Sequence, residues 1–239
     1  MTKPVLQLLV LNHFPIYRQL QIEEALLRTD ENNWCILNNG TDPAIVMGIS
    51  GAPEELLSAV FMRTAPLPLI RRFSGGGTVV VDQGTIFSTL ICNSQEIEVS
   101  CFPEQVLQWT KPLYENAFQH PDFRVRENDY AIGDYKCGGN AQYFRKDRWL
   151  HHTSFLWDYN PEHMEYLLLP KRTPKYRLKR SHGEFLYRLC HHIPEKNEIV
   201  SRICQSLSEK FIIQEQTLEY AEKALLRPHR KATTLHNML

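Results

Sequence analysis

Two features that would have set the class of this chain are missing from it: an excess of one charge and a patterned cysteine set. The 239 residues carry 27 Lys and Arg against 27 Asp and Glu, so the formal net charge is zero. A generic nucleic-acid binder draws affinity from a basic excess that neutralises phosphates, and that class is disfavoured. Cysteines stand at 35, 92, 101, 137, 190 and 204, with no C-x-x-C pair and no zinc spacing. No secretory apolar segment is visible, and no apolar run is long enough to cross a bilayer. The cysteines therefore read as reduced thiols, mostly buried as small hydrophobes, and the expected compartment is the cytoplasm, with neither membrane nor nucleic acid as partner. Walker G-x-x-x-x-G-K-[ST] spacing and a G-x-G-x-x-G fingerprint are also absent, as are internal repeats and low-complexity tracts. With 43% hydrophobic residues over this length, the chain can bury a sizeable core as one large domain, or one domain with a small appendage.

What is there concentrates in two segments. Residues Arg71 to Asp82 read RRFSGGGTVVVD. Gly75, Gly76 and Gly77 lack Cβ atoms, so the backbone there can approach a ligand closely and turn its N–H groups toward an anion. Arg71 and Arg72 supply guanidinium forks suited to a phosphate or carboxylate, and the run after the loop reads as a strand. As plain structure, the same residues make a flexible hairpin tip with two solvated arginines.

The second segment, Glu127 to Ser154, reads ENDYAIGDYKCGGNAQYFRKDRWLHHTS. Asn128 and Asp129 open a short strand, Lys136 is set against Gly138 and Gly139, and strands are expected through Ala141 to Phe155, with His151 and His152 near their end. A lysine beside glycines can bring its ammonium to a carboxylate or phosphate. Asn and Asp are also common turn formers, and a histidine pair is often a satisfied strand pair. Cys137 follows Lys136 directly, and a nearby cation promotes a thiolate.

Periodicity places strands at Gln7 to Leu11, Trp34 to Leu37, Ala44 to Met47, Leu69 to Arg72, Thr78 to Val81 and Ile86 to Ile91. Helices are expected after Pro15 on the stripe Ile16, Leu20, Ala25, Leu26, then over Glu54 to Phe61, Pro103 to Gln119, Glu184 to Cys190 and Glu195 to Phe211. Lys171 to Ser181 is basic and irregular, which suggests an exposed loop, and Leu226 to Leu239 suggests a poorly ordered tail. This mixed order argues an α+β fold: a largely antiparallel or mixed β-sheet with helices packed on one face.

The two segments resemble motifs of the lipoate-protein ligase A family, within the wider superfamily of biotin and lipoate ligases and octanoyltransferases. The family's RRxSGGGxVxHD block is similar to Arg71 through Asp82. Its ND pair followed by KxxGxA is similar to Asn128 through Ala141, and its HHxT or HHGT to His151, His152 and the Thr153/Ser154 pair. The sequence departs from the pattern at Val81, where the family usually has His, at Thr85, where Asn is usual, and at Ile49 and Ser50. Biotin is disfavoured because the biotin ligases' GRGRxGR loop is replaced by RRFSGGG.

The resemblance implies a biotin/lipoate ligase catalytic-domain fold over residues 1–190. A helical extension and tail over 191–239 would be too short for the C-terminal accessory domain of full-length relatives. It implies activation of lipoate or octanoate by ATP with Mg²⁺ to an acyl-adenylate, then acyl transfer to a lysine of a carrier. Implied carriers are lipoyl domains of 2-oxoacid dehydrogenase acyltransferases or the glycine-cleavage carrier protein, and a separate small accessory-domain protein is a further implied partner. Lys136 would be the catalytic cation. Arg71, Arg72, Ser74, Gly75, Gly76, Gly77, Asp82, Asn128, Asp129, Gly139, Ala141 and His152 would bind substrate or nucleotide, Asp129 also meeting Mg²⁺. Val79, Val81 and Phe87 would line the acyl slot. The resemblance does not support Cys137 as a nucleophile. Two alternatives stay open: a transferase using preformed acyl-AMP or acyl-carrier protein, and a non-catalytic acyl- or nucleotide-binding homologue.

Overall fold

The computed structural model describes residues 3–64, 66–169 and 173–236. Strand β1 (Val5–Asn12) leads to helix α1 (Ile16–Thr29), then β2 (Trp34–Asn39) and β3 (Ala44–Met47), the short helices α2 (Pro53–Leu56) and α3 (Ala59–Thr64), and strands β4 (Leu69–Arg71), β5 (Val79–Val81) and β6 (Thr85–Asn93). Helices α4 (Ser94–Ile97) and α5 (Pro103–Phe118) precede β7 (Phe123–Arg126), β8 (Asp129–Ile132), β9 (Tyr135–Arg145) and β10 (Arg148–Leu156). Helices α6 (Pro161–Met164), α7 (His182–Phe185) and α8 (Lys196–Lys210), strand β11 (Ile212–Glu215), helix α9 (Leu218–Glu222) and strand β12 (Thr234–Leu235) complete the described chain.

The strands form two mixed sheets, one of eight in the order β11-β1-β2-β6-β10-β9-β8-β7 and one of four in the order β12-β4-β3-β5. Antiparallel pairing dominates, but β1 runs parallel to both neighbours and β3 parallel to β4. Helices cover both faces of the large sheet, and not one as the sequence suggested. Leu6 and Leu8 of β1 join Cys35 and Leu37 of β2 in a cluster with α5 and α8, whereas Leu9 and Leu11 join Trp34 and Ile36 in a second cluster with α1 and Ala221 of α9. Side chains alternate across a strand, so an unbroken apolar run such as LLVL, Leu8 to Leu11, needs a covering layer on each side.

Helix α1 also reaches the small sheet, where Ile16 and Leu20 pack with Val46, Ile70, Val81 and Phe87. Three other expectations are corrected. The single helix over Glu54 to Phe61 is two, because Leu57 leaves the helical path to bridge Leu167, with Ser58 N–H bonded to the Tyr166 carbonyl. The helix over Glu184 to Cys190 is only α7, followed by a bridge from Leu186 to Lys136 and a 3₁₀ turn. The tail after Leu226 is ordered through residue 236: β12 pairs antiparallel with β4, and the N–H groups of Ala232 and Thr233 bond to the carboxylate of Glu24. Residues beyond 190 thus supply an edge strand to each sheet, and α8 joins the cluster around α5.

Candidate functional site

Between the two sheets lies a cavity of about 260 Å³, bounded by β3 and β5 on one side, β6, β9 and β10 on the other, and closed by residues of α6 and α7. One part of its wall is apolar, with Val46, Val79, Val81, Phe87, Leu156 and Met164, and the other carries Arg72, Asp129, Lys136, Arg177 and His182.

The glycine loop connects β4 to β5 within the small sheet. Arg72 is 4% exposed and shapes this loop from inside. Its Nε and Nη2 donate to the Gly75 carbonyl at 3.2 and 2.7 Å, Nη2 also to Gly77 at 2.8 Å, and Nη1 reaches the Val46 carbonyl at 3.4 Å. The carbonyls of Gly75 and Gly77 thus converge on one guanidinium. Burial lowers the Arg72 pKa to about 10, so the guanidinium stays charged at neutral pH. Arg71 is committed elsewhere, its Nη1 donating to the carbonyls of Ile49 and Gly51 at 2.9 and 2.7 Å. Gly76 has φ of +104°, and a Cβ there would stand 2.8 Å from Arg72 Nη2. Gly77 lines the cavity; Ser74 is buried, with its carbonyl accepting from Ile49 N–H.

Lys136 projects from β9, and its Nζ lies 2.8 Å from Asp129 Oδ1. Asp129 Oδ2 accepts from the Tyr176 hydroxyl at 3.0 Å. Gly139 leaves room for the lysine: a Cβ there would meet Nζ at 3.0 Å and Cε at 3.1 Å. Burial, with Arg177 and Lys136 beside it, pushes His182 down to about 4, so this imidazole is neutral at pH 7. Ala141 and Asn140 line the cavity near the lysine, and Asn140 donates from Nδ2 to the Asn128 carbonyl at 2.5 Å. Asn128 is itself exposed and outside the lining.

His152 lines the cavity from β10, where its Nδ1 is 3.0 Å from Glu23 Oε2 and 2.9 Å from Thr89 Oγ1. Glu23, on α1, has no solvent exposure and also accepts from Thr89 Oγ1 and Gln19 Nε2 at 2.8 Å each. Because a carboxylate only accepts, His152 Nδ1 is the donor in this contact. His151 faces the opposite layer, bonded to Tyr130 and Gln142 at 2.9 Å each.

Asp82 is not in the cavity wall and does not meet Arg72. Its Oδ1 accepts from Gly84 N–H at 2.8 Å and its Oδ2 from Asn160 N–H at 3.1 Å, which holds the turn into β6. Cys137 is fully buried among apolar side chains, and burial raises its thiol pKa despite Lys136 next to it. The basic stretch is not a solvated loop throughout. Tyr176 and Arg177 are buried, while Lys175, Leu178 and Lys179 are exposed and Lys171 and Arg172 lie outside the described residues. Tyr176, Arg177 and Glu23 were not singled out from the sequence. Glu23 had one signal, the spacing of Gln19 and Glu23 on the same helix face as Ile16, Leu20 and Leu26.

Residues 15–211 match the family described as the lipoyl protein ligase A/B catalytic domain. The chain belongs to this family. A curated relative in Plasmodium falciparum (isolate 3D7), named inactive lipoate–protein ligase 2, is 26% identical over 250 residues, covering 79% of this chain and 65% of the relative. The chain therefore spans less than two thirds of that relative's length. A solved lipoate-protein ligase A bound with ATP superposes with a TM-score of 0.74 at 18% identity, covering 94% of this chain and 92% of the other. A bi-partite lipoate protein ligase of Thermoplasma acidophilum, described with its E2 lipoyl domain, gives 0.77 at 19%, covering 93% and 90%. The fold is that of lipoate ligase catalytic domains. Among the described residues no helix is long and apolar enough to cross a membrane.

Proposed function

We propose that this chain is a lipoate-protein ligase that activates lipoate or octanoate with ATP and transfers the acyl group to a lysine of a lipoyl domain. The observation that carries the reading is Lys136, which borders a cavity that is apolar over one part of its wall and cationic over another. In the first step an acyl carboxylate oxygen attacks the α-phosphorus of ATP, an acyl-phosphate bond forms and pyrophosphate leaves. Both partners are anionic, and Lys136 between them offsets the repulsion and the charge that develops on the phosphoryl oxygens. In the second step a carrier lysine amine attacks the acyl carbonyl, an amide forms, AMP leaves and the amine loses a proton. Val79, Val81 and Phe87 would hold the acyl chain, and the amides of the glycine loop would hold the phosphate.

Mg²⁺ fits this site in a limited sense. Among the described residues Asp129 is the one carboxylate in the cavity wall, its oxygens shared with Lys136 and Tyr176, and Mg²⁺ needs only one or two protein carboxylates when phosphates and water complete its shell. Bound there, the ion would neutralise phosphate charge.

A second reading, a non-catalytic acyl or nucleotide binder, is favoured by Val81, an apolar residue at the position where the resembling motif has His, and by the relative named inactive. The deciding assay is ATP-dependent pyrophosphate release with lipoate, paired with lipoyl-domain labelling, on the wild type and Lys136→Ala. Release and labelling by the wild type, both lost in the variant, are expected. Labelling only from supplied acyl-AMP or acyl-carrier protein would assign a transferase, and binding without turnover would assign the second reading.

A further inference from the structure

Arg177 ends a 3₁₀ turn, Lys175–Arg177, at the cationic part of the cavity. It is 5% exposed, its guanidinium lies 4.8 Å over the Phe185 ring, and its Nε donates to the Arg180 carbonyl at 2.9 Å. Its Nη2 is buried without a hydrogen-bond partner among the described residues. Leaving such a donor unsatisfied costs on the order of 1–3 kcal/mol, more when it is charged. The carboxylate of the cavity wall does not fill the gap, because Asp129 is already taken by Lys136 on one oxygen and Tyr176 on the other.

The backbone around Arg177 is built to hold this position. Leu178 and Lys179 have φ of +52° and +64°, a pair of non-glycine residues in the left-handed region, which costs on the order of 1 kcal/mol or more at each. Arg180 ties the turn down, its N–H bonded to the Arg177 carbonyl and its Nη2 to the carbonyls of Tyr176 and Asp134. The turn sends Tyr176 to Asp129 and leaves Arg177 in the cavity wall with its Nη2 unpartnered among the described residues.

We propose that Arg177 is an anion-binding residue of this site, its Nη2 receiving a phosphate oxygen of a nucleotide or the carboxylate of an acyl chain. The inference rests on the ligase reading above. A planar fork complements Lys136, which acts as a point charge, and together they present two cations to a ligand, of which, among the described residues, Lys136 is the one in salt-bridge contact with Asp129.

The test is calorimetric binding of octanoate, octanamide, AMP and adenosine to the wild type, Arg177→Gln and Arg177→Lys. Arg177→Gln should weaken at least one of the two anions by about ten- to a hundredfold, the loss of one charge-assisted hydrogen bond, and leave its neutral counterpart within about twofold. The anion affected identifies the group that Arg177 meets. Arg177→Lys, which keeps the charge and the stem, should show a smaller loss with the same selectivity, and it carries the test if the glutamine variant does not fold. Equal weakening of an anion and its neutral counterpart means a purely structural arginine and overturns the proposal, as does no weakening at all. A wild type that binds none of the four ligands overturns the ligase reading and this inference with it.

Discussion

Glu23 of α1 and His152 of β10 meet at 3.0 Å, a fully buried carboxylate against a histidine in the cavity wall. The contact joins the first helix to a strand that borders the cavity, through residues 129 positions apart. Because Thr89 and Gln19 donate to the same carboxylate, removing it leaves several buried donors without an acceptor. Glu23→Ala should therefore destabilise the fold by about 3 kcal/mol or more, with Glu23→Gln milder because it keeps one acceptor oxygen. A urea midpoint unchanged in Glu23→Ala, at constant slope, would contradict this.

Arg72→Lys tests whether the arginine acts as the internal clamp of the glycine loop. Lysine keeps the charge but cannot reach the carbonyls of Gly75, Gly77 and Val46 together. Hydrogen exchange over residues 75–78 should accelerate by about tenfold or more, as expected for a local loss of ~1.5 kcal/mol or more, while β8 to β10 remain protected. Unchanged exchange in the loop would assign Arg72 to ligand contact alone.

Gly139→Ala and Gly138→Ala make a paired test, since the two glycines face different neighbours. At 139 the new methyl meets the movable end of Lys136 at 3.0 Å, so the fold should survive within about 1 kcal/mol while acyl transfer falls by at least about tenfold as the lysine is displaced. At 138 it meets the Phe155 ring at 2.6 Å in the packed core, and overpacking should cost about 1–3 kcal/mol. Equal loss of stability in both variants would rule out the distinction.

The fold is also expected to lose stability in acid through His151. Burial holds its pKa at about 3 against an ordinary value of 6.5. Between these values the unfolded chain binds a proton that the folded chain refuses, so stability falls as pH drops below 6.5 and goes on falling toward pH 3. The slope contributed is at most about 1.4 kcal/mol per pH unit. His151→Gln, which is uncharged throughout, should flatten the urea-midpoint profile between pH 6 and 4. An unaltered profile would place the acid sensitivity elsewhere.

Much of the architecture was legible because periodicity reports burial. The strands of RRFSGGGTVVVD, the pair β9 and β10 and helices α1, α5 and α8 stand close to where apolar spacing placed them. The two-sided covering of the large sheet was present in the run at Leu8 to Leu11 but is ambiguous in one dimension, since an unbroken apolar strand does not say which helices cover it. Lys136, Asp129 and Gly77, which the resembling motifs had singled out, stand together in the cavity wall. Asp82 lies outside the cavity wall, and a carboxylate that holds a turn looks, in sequence, like one that meets a ligand. Arg177 was hidden in a basic run, where composition suggests solvent and only the fold shows one arginine turned inward.

The tail is the fifth test. Deleting residues 229–239 removes β12 and the two N–H donors that Glu24 holds at 2.9–3.0 Å. Glu24 is itself buried, so the deletion should cost about 2–3 kcal/mol and accelerate hydrogen exchange at Leu69–Arg71. Wild-type exchange at β4 in the truncated chain would show that the tail is dispensable.

Thr234 pairs with Arg71, at the root of the glycine loop. Synthesis proceeds from the N-terminus, so the loop has left the ribosome long before the strand that borders it has been made. Contacts so far apart in sequence close late, after the entropy of the intervening chain has been given up. A nascent chain therefore carries its glycine loop beside an unpaired strand edge until β12 arrives, which is the interval in which a neighbouring strand could take that place.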